Sequence, residues 1–185
     1  VSLKDANGGV VVTISDATTG AYSIDVTGLT APFLVTITGT NGTYISLAQT
    51  TGTANINPIT TMVVALAAGT CDVSALFTSL TPVQLAAINA NYAAKCALVT
   101  ASLQAILPAG FKAEDYFTGT VTAGTGMDAI FDTYKIAFDP TAGITVKTKD
   151  GTTVLAIPAA TVTANTNQPL PTINVPNNGS VSVGW

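Results

Sequence analysis

The sequence predicts an α+β protein: an antiparallel β-sandwich that runs into a layer of about three helices and then into a β-hairpin and an extended tail. Three observations carry that expectation. From Val1 to Thr51, apolar residues recur with a period of two and are punctuated by turn residues. Across Gly52–Leu66 the period changes to three and four. Near the C-terminus, Asp150-Gly151 separates two β-branched runs, a strong hairpin signal.

The first strands follow from turn chemistry. Asn7-Gly8 lies between Val1–Asp5 and the run Val10-Val11-Val12-Thr13-Ile14, and Asn-Gly readily adopts the positive φ angles of a two-residue hairpin. Thr19-Gly20 makes the next turn, after which Tyr22, Ile24 and Val26 alternate with Ser23, Asp25 and Thr27. Gly28–Pro32 interrupts, Phe33, Val35 and Ile37 resume the alternation, Asn41-Gly42 turns, and Tyr44, Ile45 and Leu47 close the set. About five short strands with turns every 8–12 residues is the rhythm of a sandwich.

The helical part is equally explicit. Asn57 is a natural N-cap and Pro58 fits the first helical position, where a missing N–H costs nothing. Ile59, Met62, Val63 and Leu66 then give one apolar face. Asp72 caps a short helix carrying Val73, Leu76 and Phe77. Thr81-Pro82-Val83-Gln84 is a capping box, and Leu85, Ile88, Tyr92, Cys96, Val99, Leu103 and Ile106 follow at helical spacing before Pro108-Ala109-Gly110. Phe111–Gly126 reads as a loop with aromatic anchors Phe111, Tyr116 and Phe117, and Met127, Ile130, Phe131 and Tyr134 as the face of a last helix. The predicted divisions are a β-sandwich at 1–57, a helical region at 58–137, a hairpin at 138–164 packing on the sandwich, and an extended tail at 165–185.

The stretch Asp16–Leu29, with Gly20, Tyr22 and Ile24 in a Gly-x-Tyr-x-hydrophobic pattern after an Asp/Thr-rich turn, resembles the carboxypeptidase-regulatory-like, transthyretin-like and Ig-like sandwich repeats of bacterial secreted surface proteins. Gly52–Thr61 resembles a variant in which that sandwich runs into a helical extension, and Thr125–Asp132 that variant's last helix. The resemblance implies a secreted bacterial protein, extracellular or at the cell surface. Such sandwiches usually open with one more strand of a Gly-x-Val type ahead of the segment that here begins Val1-Ser2-Leu3-Lys4. Its absence leaves an edge or groove open, to be filled by the chain's own tail or by a strand of another molecule.

Composition bounds the function. Charged residues make up 9% of the chain and hydrophobic residues 48%, so hydroxyls and amides must cover the surface, against about 25% charged in an ordinary domain. The basic residues are all lysines, histidine is absent and the net charge is −4, which argues against a nucleic-acid surface. No apolar run approaches the roughly 20 residues of a membrane span; the longest is Met62–Ala68. The chain lacks an initiator methionine and opens at Val1 in a strand-like pattern, so either processing or a leader ahead of Val1 is expected. Cys71 and Cys96 are either a disulfide across a loop of roughly 25 residues or two buried thiols.

Without histidine, Ser-His-Asp and Cys-His nucleophilic sets and ordinary zinc sites are excluded. Gly124-Thr125-Gly126 reads as helix capping, Glu114-Asp115 as a solvated loop, and Asp5-x-Asn7-Gly8 as turn chemistry lacking the further carboxylates of a calcium loop. No cofactor is called for, and an enzyme is not expected. Asn41-Gly42-Thr43 and Asn178-Gly179-Ser180 match the N-glycosylation pattern, though turns explain both Asn-Gly pairs; a surface glycan stays open.

Prolines at 169, 171 and 176 favour an extended tail, and Val181, Val183 and Trp185 then alternate like a strand. The expected function is a non-enzymatic extracellular structural subunit that assembles with itself into a filament or surface layer. Val1 and Leu3, Ile173 and Val175, and Val181, Val183 and Trp185 are its candidate assembly residues. The alternative is a monomeric adhesion module binding carbohydrate or a surface through the aromatic loop Phe111–Gly126.

Overall fold

The structure is a computed structural model that describes residues 1–40 and 42–175. It is a mixed α+β fold with two antiparallel sheets, one of four strands and one of three. In the first sheet, β1 (Ser2–Lys4), β2 (Val10–Val12), β3 (Phe33–Gly39) and β4 (Gly42–Ala48) take the order β2-β1-β3-β4. The predicted hairpin at Asn7-Gly8 forms around Asp5. Its Oδ1 accepts the amides of Gly9 at 2.6 Å and Asn7 at 3.0 Å, and its Oδ2 accepts the amide of Thr30 at 2.9 Å. Gly8 sits at φ 87°, a conformation that penalises any residue with a Cβ.

Two strand expectations need correction. β1 is an interior strand: Leu3 faces Val11 on one side and Val35 on the other, and the Val1 ammonium donates to the Thr13 carbonyl at 2.8 Å. The backbone at Val1 and Leu3 is therefore no open edge. Secondly, Tyr22, Ile24 and Val26 are half-buried while Ser23 and Asp25 are exposed, as the alternation predicts, yet the segment joins no ladder among the described residues. A two-residue period reports which side of an extended chain meets the core, and is silent on whether a neighbouring strand exists to pair with it.

The next element is α1 (Pro58–Ala68). Asn57 Oδ1 accepts the amides of Ile59 and Thr60, both at 3.0 Å, completing the predicted cap. The expected single apolar face is instead a helix buried on all sides: every residue from Ile59 to Ala67 is inaccessible. The helix packs on β4 and on α3 (Pro82–Leu103), so no side is left for water. Its two polar residues are used against the sheet. Thr61 Oγ1 accepts the Ile45 amide at 2.9 Å, and Thr60 Oγ1 donates to the Ile45 carbonyl at 2.9 Å. These hydroxyls occupy the outward backbone groups of Ile45 on the edge strand β4.

Between them lies α2 (Val73–Ser79), capped by Asp72, whose Oδ1 accepts the Ala75 amide. At its other end Lys4 Nζ donates to the carbonyls of Phe77 at 2.7 Å and Leu80 at 3.3 Å, placing a cation where the helix carbonyls are unsatisfied. The capping box at Thr81 and Gln84 forms, and α3 buries Leu85, Ile88, Cys96, Val99 and Leu103 as predicted. It stops at Leu103, short of Ile106.

After short helices α4 (Asp115–Thr118) and α5 (Ala129–Thr133), the chain enters β5 (Tyr134–Asp139), β6 (Gly143–Thr148) and β7 (Thr153–Pro158), followed by α6 (Ala159–Ala164). The predicted hairpin is β6 and β7, but the last helix is shorter than expected. Tyr134 begins a third strand whose register runs Ile136↔Val146 and Phe138↔Ile144. A local turn makes this possible: Asp139 Oδ1 accepts the amides of Thr141 and Ala142, both at 2.8 Å. One contiguous core joins Leu34 of β3, α1, α3, Ile144 of β6 and Ile173.

The start of the tail is docked on its own chain. Lys95, 1% exposed, donates to the Thr166 carbonyl at 2.7 Å and to Asn167 Oδ1 at 3.1 Å. The Ile173 amide donates to the Ser102 carbonyl and the Asn174 amide to the Val154 carbonyl, each at 2.9 Å. Ile173 is thus a buried core residue and not a free assembly contact, whereas Val175 is exposed. Val181, Val183 and Trp185 lie outside the described residues. No single helix among the described residues is long and apolar enough to cross a membrane.

Candidate functional site: an apolar groove on one sheet face

Successive residues of a strand point to opposite faces, so β3 and β4 serve two cores. Leu34, Ile45 and Leu47 turn towards α1, while Phe33, Val35 and Leu3 form a second, smaller cluster on the other face. Among the described residues no helix covers that second face. Its roof is the extended segment Tyr22–Val26 together with Leu29, Ala54 and Ile56, whose apolar side chains are only partly buried.

Between this roof and the sheet runs a groove of about 920 Å³. Leu3, Phe33, Val35 and Ile37 lie on its floor, and Tyr22, Ile24 and Val26 on one wall. Leu3 therefore returns as a floor side chain although its strand is paired on both sides. Among the described residues, Asp128 is the one charged residue in the lining. Tyr22 donates its hydroxyl to the Ala54 carbonyl, pinning the wall to the loop before α1, and burial raises its phenol pKa to about 12. That loop is in turn tied to α4: the Asn55 amide donates to the Phe117 carbonyl at 2.7 Å, and Asn57 Nδ2 to the Tyr116 carbonyl at 2.8 Å. On the same sheet face the Ser46 hydroxyl is buried without a partner among the described residues.

The backbone of the wall is mostly unpaired among the described residues, the Val26 carbonyl accepting the Leu29 amide at 3.0 Å. Among the described residues, neither amide nor carbonyl of Ser23 or Ile24 takes part in a hydrogen bond. An extended segment with half-buried side chains and free backbone groups has the properties of an edge strand. A second groove, between β4 and β5, is lined by Tyr44, Asp72, Lys135 and Phe138 among others.

The other candidates resolve into structural roles. Cys71 and Cys96 are both buried and free, so the disulfide alternative is not the one adopted. Burial raises the Cys96 thiol pKa to about 12; burial, then the Asp139 carboxylate, raises that of Cys71. Tyr116 and Phe117 are 1% and 2% exposed, which corrects the expectation of an aromatic loop presented to a ligand. Phe117 instead stacks edge-on against Tyr92 with ring centroids 4.9 Å apart. The Gly124 amide is taken by Asp128 Oδ2 at 2.8 Å, and Asp5 is committed to backbone amides. No group of three or more metal-binding side chains occurs among the described residues.

Sequence reasoning expected an open edge or groove but placed it beside Val1 and Leu3, and it missed the sealing of β4. The one local signal for that sealing is the pair Thr60-Thr61 inside an otherwise apolar helix. In comparisons with protein-family models, curated proteins and solved structures, nothing matches this chain.

Proposed function

We propose that this chain is a non-enzymatic extracellular structural subunit that assembles with itself into a fibre or surface layer by strand pairing, each contact completing an Ig-like sandwich. The observation that carries this reading is an extended wall segment whose Ser23 and Ile24 backbone groups have no partner among the described residues, beside a groove with one charged lining residue among those described. A protein strand beside this segment supplies N–H and C=O groups for its free backbone and apolar side chains for the half-buried Tyr22, Ile24 and Val26. The charge-poor composition agrees, since subunit contacts are then made without desolvating ions. A contact between two different surfaces of the same chain propagates into a filament unless the rotation between subunits closes it into a ring. The adhesion-module alternative loses Tyr116 and Phe117 to the core.

Negative-stain electron microscopy of the purified native protein tests the reading. Filaments or sheets are the expected result, and monodisperse particles at high concentration would overturn it.

A further inference from the structure

Resting on that strand-pairing reading, we infer that the acceptor is the extended segment Tyr22–Val26, and that the donor is Ser180–Trp185 of a second copy, running beside that segment along the mouth of the groove.

The choice of acceptor follows from where each edge stands. β1 and β3 are paired on both sides. β4 is sealed at Ile45 by the hydroxyls of Thr60 and Thr61. β7 already receives the Asn174 amide at Val154. β2 is open, but it is three residues long, and Val10 and Val12, 53% and 68% exposed, face solvent without any wall to enclose a partner. β5 is also an outer strand with a groove beside it, but Asp72 and Lys135 line that groove, whereas the groove beside Tyr22–Val26 has Asp128 as its one charged lining residue among those described.

The choice of donor follows from sequence and position. As an extended strand, Ser180-Val181-Ser182-Val183-Gly184-Trp185 would place three apolar side chains on one face and two hydroxyls and a glycine on the other, and the sequence has no charged side chain in 176–185. Six residues at about 3.3 Å each span roughly 20 Å, enough to run the length of the Tyr22–Val26 wall. The large ring of Trp185 suits a groove of about 920 Å³ better than two valines alone could fill it. The donor is assigned to another copy because the described part of the tail, up to Val175, is held on the helical side. Ile173 is bonded to Ser102 of α3 and Asn174 to Val154 of β7, whereas the groove opens on the opposite face of the four-stranded sheet.

Disulfide trapping in the full-length chain tests this. Ser23 and Asp25 are exposed and alternate with the half-buried Tyr22, Ile24 and Val26, and in the paired strand Ser180 and Ser182 would share their face. Opposed residues on antiparallel strands have Cα atoms about 4.5–5.5 Å apart, within disulfide reach. A Ser23→Cys variant is mixed with Ser180→Cys or with Ser182→Cys and mildly oxidised; the native cysteines are buried and do not compete. The expected result is a disulfide-linked dimer from one of the two mixtures and not from any variant alone. Val12→Lys, on the β2 edge, should leave the yield unchanged. Trp185 is the single tryptophan, so its emission should shift to shorter wavelength as assembly proceeds.

Filaments in the micrographs with no cross-link in either mixture would overturn the assigned acceptor while leaving strand-mediated assembly intact. A Ser23→Cys/Ser182→Cys double variant that yields only internally cross-linked monomer would overturn the exchange between copies. Absence of both filaments and cross-links would overturn the proposed function as well.

Discussion

Replacing Thr61 by valine removes one oxygen from a fully buried helix and keeps the β-branched shape. In the native fold Thr61 Oγ1 accepts the Ile45 amide at 2.9 Å and donates to the Asn57 carbonyl at 2.8 Å. Valine leaves the Ile45 N–H without a partner at a site where both residues are 0% exposed. A buried donor stripped of its acceptor costs about 1–3 kcal/mol, so a loss of about 2 kcal/mol is expected. For a chain of this length that corresponds to a fall in Tm of about 4–8 °C. Urea denaturation should show a lower midpoint with an unchanged slope, because the surface exposed on unfolding is the same. Hydrogen exchange should be faster at the Ile45 amide. Thr60→Val removes the hydroxyl that donates to the Ile45 carbonyl, and the double variant should be non-additive because both hydroxyls serve one residue. A Thr61→Val protein within about 0.5 kcal/mol of the native one, with the Ile45 amide equally protected, would refute the view that α1 seals the β4 edge.

Two further outcomes are expected. The Thr30 amide, then those of Gly9, Asn7 and Gly8, hold the Asp5 carboxyl below its ordinary value of 3.8 against an opposing effect of burial. A folded-state value below the unfolded one means that its stabilisation is present above pH 3.8 and lost as pH falls through the folded value. The difference in unfolding free energy between native protein and Asp5→Asn should therefore shrink on acidification, and a difference independent of pH would contradict this. Cys71 and Cys96 should be unreactive towards a thiol reagent at about pH 8 in the folded state, below even the ordinary thiol range, and both should react in denaturant without reductant. One or no thiol released would show a disulfide instead.

Local features were legible wherever a residue type has one physical use. Asn57-Pro58, Asp72 and Thr81–Gln84 each satisfy helix amides that have no partner within the helix, and all three caps are in place. Asn7-Gly8 and Asp150-Gly151 turn as predicted, and the helical spacing of α3 named its buried face correctly. The apolar face of α1 was harder to read, because a helix enclosed on all sides carries little amphipathic signal. The strand at Tyr134–Asp139 was hidden for a different reason. Ile130, Phe131 and Tyr134 fit a three-to-four spacing, so the start of the strand reads as the last turn of the helix before it.

What the sequence determined by itself is therefore local: where helices start, where hairpins turn, and which side of each extended segment meets the interior. These depend on contacts a few residues apart, so the residues that decide them sit together in the chain. Only the tertiary structure decided that β1 is an interior strand, that Thr60 and Thr61 close the edge of β4 at Ile45, and that Tyr22–Val26 borders a groove with the Ser23 and Ile24 backbone unpaired among the described residues. Each of these depends on which distant segment lies alongside. A pattern of alternating residues is the same whether its neighbour is a strand, a helix hydroxyl or an empty groove.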